Sequence, residues 1–183
     1  MKDEKDSQPT AEVPDPLDVM RDVLRGMEFN FDDADGRLVV HLMLDRLDVK
    51  VVCWGNPDDV ATILVVLPVR ATPEFRPQTG EFLHRLNYGA KRKYWEMDYG
   101  DGEIRLAAYT DTLIGPLTGQ HFRGMLHSMV RTADIVFPYL TSVLSGRMTP
   151  EFADDQAEAA IHAFWNKDTD TPEEGDGKAE SGD

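Results

Sequence analysis

Chemistry near neutral pH would first be sought at five histidines (positions 41, 84, 121, 127 and 162), one cysteine (Cys53) and the carboxylate pair Asp154-Asp155. Metal ligation needs several such groups on one face. His121 and His127 fall six apart in a helical pattern and point to different sides. His41 falls on a strand pattern, opposite the face that carries Leu38 and Val40. Cys53 has no cysteine partner and lies in an apolar run, where a small buried hydrophobe is expected rather than a thiolate, which needs a cationic setting. Asp154 and Asp155 share a helical pattern with Glu158, which reads as a solvated face. There is no G-x-S-x-G elbow, phosphate loop or dinucleotide fingerprint, and "GPLTGQ" near Gly115 lacks the lysine a phosphate loop requires. Two segments, "DDADGRL" and "DYGDGEI", place Asp32 and Asp98 at the same offset before a glycine. A calcium loop would need a glutamate six residues beyond that glycine; Leu42 and Ala108 stand there, so both segments read as Asp-Gly turns. No nucleophile, general base, metal site or cofactor site emerges. The expectation is a protein without enzymatic activity.

Two features suit binding instead. Lys91, Arg92 and Lys93 run directly into Tyr94 and Trp95, a basic-aromatic cluster of the kind that contacts nucleic acid. Against it stands a formal net charge of -15, whose field repels phosphate backbones and acidic membranes. A nucleic-acid role would need a concentrated local surface, for which Arg70 and Arg76 are the other candidates. Met125 and Met129 lie four apart on an apolar helical face; they suit core packing, or an adaptable peptide-binding surface.

The elements that would position these residues follow from periodicity. With 183 residues and 41% hydrophobic content the chain can bury one core. Residues 1–14 read as a flexible tail, 15–165 as one domain and 166–183, acidic and without large apolar residues, as a disordered tail. Asp15 caps a helix that opens on Pro16, carries Leu17, Met20, Leu24 and Met27, and stops near Gly26. Strands follow. Leu38, Val40, Leu42 and Leu44 share one face, and Leu47, Val49, Val51 and Cys53 another such face. "VATILVVLP" is apolar on both faces, predicting a central strand covered on both sides. Thr72-Pro73-Glu74 marks a helix start, with Phe82, Leu83 and Leu86 on one face and Asn87 and Gly89 closing it. Two alternating runs around "GDG" form a hairpin with Trp95 and Met97 in the core. Lys91 to Lys93 would guard the mouth of its first strand against edge-to-edge pairing. A helix then starts at Leu117-Thr118, carries Phe122, Met125, Leu126, Met129 and Val130, and should break or kink near Phe137 because of Pro138. Thr149-Pro150-Glu151 starts a last helix with Phe152, Ala157, Ala160, Phe164 and Trp165. The predicted fold is α+β, an antiparallel sheet with helices packed on it, in the order α-β-β-β-β-α-β-β-α-α.

That order, with "EFLHRLNYGAKRKYWEMDYGDGEIRLAAYTD" and "RTADIVFPYLTSVLSG", resembles the YbjN family of bacterial sensory transduction regulators, which is grouped in fold with the type III secretion chaperones. The resemblance covers roughly Asp15 to Gly146. It rests on Leu86-Asn87, Asp98, Asp101-Gly102, Arg105, the "LTG" at Leu117, and Ala133-Asp134 with Pro138 downstream. In the family a second Asn often follows Leu-Asn; here Lys91 to Lys93 occupy that region. The resemblance implies a type III secretion chaperone-like α+β domain, frequently a homodimer, that binds peptides or protein partners in a chaperone-like or regulatory manner without enzymatic activity or cofactor.

The expected function is therefore a cytoplasmic protein- or peptide-binding module. The cytoplasmic expectation rests on an acidic N-terminal segment without an apolar leader and on Val60 to Val69 being interrupted by Thr62 and Pro68. The candidate partner-binding residues are Val39, His41, Met43, Val52 and Trp54, which project opposite the core face. The competing reading has the C-terminal helices covering that face. The alternative function is a nucleic-acid-associated regulator acting through Lys91 to Lys93.

Overall fold

The structure, a computed structural model, describes residues 14–88 and 90–167. Both expected tails therefore lie almost wholly outside the described residues, as does the expected helix stop at Gly89. The elements are α1 (Pro16–Gly26), β1 (Phe31–Ala34), β2 (Arg37–Met43), β3 (Asp48–Gly55), β4 (Val60–Arg70), α2 (Arg76–Asn87), β5 (Lys93–Met97), β6 (Glu103–Asp111), α3 (Gly119–Leu144) and α4 (Pro150–Lys167). This is the predicted order. α4 runs past Trp165, where the domain was expected to end.

The six strands form one antiparallel sheet in the order β1-β2-β3-β4-β6-β5. Asp35 and Gly36 take φ of 52° and 72° between the paired Ala34 and Arg37. Two positive-φ residues make the primed turn whose twist matches a hairpin. The second Asp-Gly turn is wider. Asp98 and Asp101 side chains accept from the Gly100 and Glu103 N–H groups, and a Cβ at Gly102 would meet the Ala71 carbonyl oxygen at 2.1 Å. Pro68 lies in the irregular stretch of β4 between Val66 and Arg70, where no ladder donor is required.

Alternation sets the core. Leu38, Val40, Val51, Cys53, Ile63, Val65, Leu106 and Ala108 point to one side and pack with Met20, Leu24, Phe82, Phe122, Leu126 and Met129 of the helices. α1 and α3 lie on this face, α2 lies along β5, and α4 packs on α2 and α3 as an outer layer. Trp95 is buried in this core and Met97 packs against it, as expected.

α1 ends at Gly26, as expected, and the left-handed exit follows at Glu28, at φ 58°, where the Glu28 and Phe29 N–H groups still bond back to Arg25 and Leu24. Four local expectations change. Thr72 does not cap α2, which begins at Arg76 after a turn in which the Thr72 carbonyl accepts from Phe75 and Arg76. Pro138 does not break α3, which is continuous from Gly119 to Leu144; Val136, Leu140 and Val143 are buried on both sides of it, and that packing outweighs the lost bond. Phe152 is 52% exposed, and Ala153 and Ala157 make the close contact of α4 instead. Asp155 and Glu158 are exposed, but Asp154 is half-buried, and its Oδ1 is buried without a hydrogen-bond partner among the described residues.

Candidate functional site

β4 was expected to be covered on both faces. Among the described residues, helices cover only one. Val39, Val52, Leu64 and Ala107 stand on the other face and belong neither to the core nor to the side chains packed against it. Register aligns them. Val39 faces Val52, Val52 faces Leu64, Leu64 faces Ala107 and Ala107 faces Tyr94, so an apolar row crosses the sheet from β2 to β5. Ala107 is fully buried without a helix above it, shielded between its taller cross-strand partners.

Polar rows flank this one. On one side Trp54 faces Thr62 and Thr62 faces Tyr109. The Arg37 guanidinium lies 5.5 Å over the Trp54 ring, a cation–π contact. On the other side His41, Lys50, Val66, Arg105 and Glu96 form a second row. Glu96 ties two rows together: its Oε2 accepts from Arg105 Nε at 2.8 Å and its Oε1 accepts from the Tyr109 hydroxyl at 2.8 Å. Burial and that carboxylate both push the Tyr109 phenol above its ordinary pKa. At one end a concavity of about 640 Å³ is lined by His41, Met43, Lys50, Val66, Arg70 and Glu103.

The five residues singled out from sequence thus lie on the helix-free face, but they do not form one cluster. Val39, Val52 and Trp54 are neighbours, His41 lies in the next row, and Met43, 86% exposed, marks the far end of β2. Thr62, Leu64, Val66, Ala107 and Tyr109 complete the surface and were missed. The signal was present as the period-2 partner set of Ile63 and Val65, but both sets in β4 are apolar, so alternation could not say which one is open.

The basic run behaves differently from the expectation. Lys91 and Arg92 are exposed, but Lys93 turns inward and donates to the Ser128 hydroxyl at 2.7 Å and the Thr132 hydroxyl at 2.6 Å. Burial pushes its ammonium down to about 8. Lys93 therefore does not guard the strand edge; Asn87 does. The Asn87 amide donates to the Trp95 carbonyl at 2.8 Å and accepts from the Trp95 N–H at 2.7 Å, occupying backbone groups that an incoming strand would use. Arg70 and Arg76 do not join the basic run. Arg70 pairs with Asp101 and Glu103, and Arg76 donates to the Ala71 and Tyr99 carbonyls; along β6, Arg70 faces Glu103 whereas Lys93 faces Ala108.

Among the described residues, no group of three His, Cys, Asp or Glu side chains could hold a metal ion, and no helix is long and apolar enough to cross a membrane. Burial pushes the Cys53 thiol up to about 12. What the open face offers is contact: an apolar row, two tyrosines, a tryptophan and a rim of paired charges.

No protein-family model matches this chain, and no curated protein matches it. Similar solved structures include the crystal structure of YbjN from E. coli, described as a candidate transcription regulator. Its identity to this chain is 13% and the TM-score 0.46, with 86% of this chain and 97% of that chain covered.

Proposed function

We propose that this protein is a non-enzymatic binding module whose helix-free sheet face receives a protein or peptide partner, in a regulatory or chaperone-like role in the cytoplasm. One observation carries the reading. A continuous apolar row, Val39-Val52-Leu64-Ala107-Tyr94, crosses the sheet from β2 to β5 on the side that no described helix covers. Apolar rows of this kind that no described helix covers, flanked by tyrosine, tryptophan and arginine, have the composition of an interface core and its rim. A second copy of the chain is one partner this face suits, and that reading gives a homodimer.

The test is a folded variant with Val52→Asp and Trp54→Asp. Cross-linked capture from lysate with mass spectrometry, alongside sedimentation of the purified chain, should show both partner recovery and self-association reduced. A folded double variant that keeps the full partner set and the same sedimentation profile sinks the assignment of this face. The nucleic-acid alternative, through Lys91 and Arg92, is checked by anisotropy with labelled oligonucleotides at low salt. Non-specific nucleic-acid binders register in the micromolar to ~100 micromolar range, so silence there removes it.

A further inference from the structure

Between the start of β5 and the N-terminal half of α3 lies a groove of about 530 Å³. One ridge of α3 forms a wall of it: Gln120, Gly124 and Ser128 recur every four residues, and Thr132 continues the same ridge. Gly124 keeps that ridge low, since a Cβ there would meet nothing within 4 Å. Packing therefore does not demand glycine at this position, although glycine inside a helix costs about 1 kcal/mol relative to alanine. No residue lining the groove is acidic, in a chain whose formal net charge is -15.

The opposite wall carries the Lys93 amine. Lys91 and Arg92 are exposed at the rim, whereas Lys93 is half-buried and crosses to the ridge. It donates to the Ser128 hydroxyl at 2.7 Å, the Ser128 carbonyl at 3.3 Å and the Thr132 hydroxyl at 2.6 Å. All three acceptors are uncharged. Such a setting favours the neutral amine over the ammonium, and burial pushes the group down to about 8. Close to neutral pH a sizeable fraction is then free amine, while an ordinary lysine at 10.5 is almost wholly protonated. The free amine keeps two N–H donors for the two hydroxyls and gains a lone pair.

We propose that Lys93 is a covalent binding site for a small aldehyde or ketone that carries an anionic group, held in this groove as an imine. The Lys93 nitrogen attacks the carbonyl carbon; the N–C bond forms as the C=O π pair moves to oxygen. One amine proton passes to that oxygen and gives a carbinolamine. The Ser128 hydroxyl, 2.7 Å from Nζ, stands where it can relay this proton. The C–O bond then breaks as the nitrogen lone pair closes C=N, and the departing hydroxide takes the second amine proton and leaves as water. Nothing is oxidised or reduced. The groove has the volume of a small-molecule site. Exposed Lys91 and Arg92 draw the anionic end to the rim through a salt-screened field.

The probe is pyridoxal phosphate, an aldehyde with an anionic group, added to the full chain in substoichiometric amount near neutral pH and low salt. Borohydride then fixes any imine, and peptide mass spectrometry locates it. Lys93 should carry about tenfold more label than exposed Lys50 or Lys91, because more of it is free amine. Gly124→Leu changes an exposed helix position and fills the groove. It should cut the label on Lys93 severalfold and leave Lys50 unchanged. Pyridoxal, which lacks the phosphate, should label Lys93 severalfold less, and the pair Lys91→Glu with Arg92→Glu should erase that difference. Label spread evenly over the lysines, or Lys93 labelled undiminished in Gly124→Leu, would overturn the proposal. Equal labelling by pyridoxal and pyridoxal phosphate would overturn its anionic half.

Discussion

Lys93 and Asp154 show what burial does to single charges. Lys93 has hydroxyl partners on α3 and, among the described residues, no carboxylate partner, and burial lowers its pKa to about 8 from 10.5. Between those two values the unfolded chain holds a proton that the folded chain does not, so this group's contribution to stability rises as pH climbs from about 8 to 10.5. Following reductively methylated lysines by carbon NMR should show one resonance titrating near 8. The urea midpoint of the wild type should gain on that of Lys93→Met across the same window. Asp154 is raised above its ordinary 3.8, first by burial and then by Glu158, with Arg85 opposing. Its charged form is the one folding disfavours. Asp154→Asn should therefore raise the melting temperature at pH 7, and the gain should shrink as pH falls through the raised value toward 3.8. A gain that persists unchanged at acid pH would refute this account.

At the scale of elements, side chains reach from helices to satisfy strands. Asn87, at the end of α2, makes two hydrogen bonds to the backbone of Trp95 in edge strand β5. Removing the amide strands two partly buried backbone groups, a loss of about 1–3 kcal/mol. Asn87→Ala should lower the urea midpoint accordingly and accelerate hydrogen exchange at the Trp95 N–H; unchanged exchange would show that the edge is protected by something else. Asp134, buried in α3, works similarly on the turn between β2 and β3, accepting from the Arg46 N–H at 2.8 Å and from the Arg46 guanidinium at 2.7 Å. Leu86-Asn87 and Ala133-Asp134 were visible in the sequence only as short motifs. Their partners lie 8 and 88 positions away, and no local pattern names a partner at such separations. Element boundaries were more legible. The Asp15 and Thr118 side chains accept from Leu17 and His121 N–H groups, as their residue types predicted. Pro138 misled because local sterics were weighed without the tertiary packing that holds α3 together around it.

For the whole molecule, the decisive asymmetry is that the described helices all lie on one side of the sheet. Adjacent residues of β3 should report it. Val51→Asp would bury an unpaired carboxylate under the helices, costing several kcal/mol, enough to unfold a domain of ordinary stability. Val52→Asp faces outward and should cost only about 1 kcal/mol. Thermal melts of the two variants should differ by that margin, and equal losses would mean that both faces are covered. The amino-acid sequence by itself determined the α+β class, the order of ten elements and the residues sharing each strand face, because side-chain period and turn chemistry are local properties. Only the tertiary structure decided which of β4's two apolar faces is left open, that Lys93 turns inward, and that Asn87 closes the sheet edge. Those outcomes depend on where helices distant in sequence settle, through burial and hydrogen bonds between residues whose spacing carries no periodic signal.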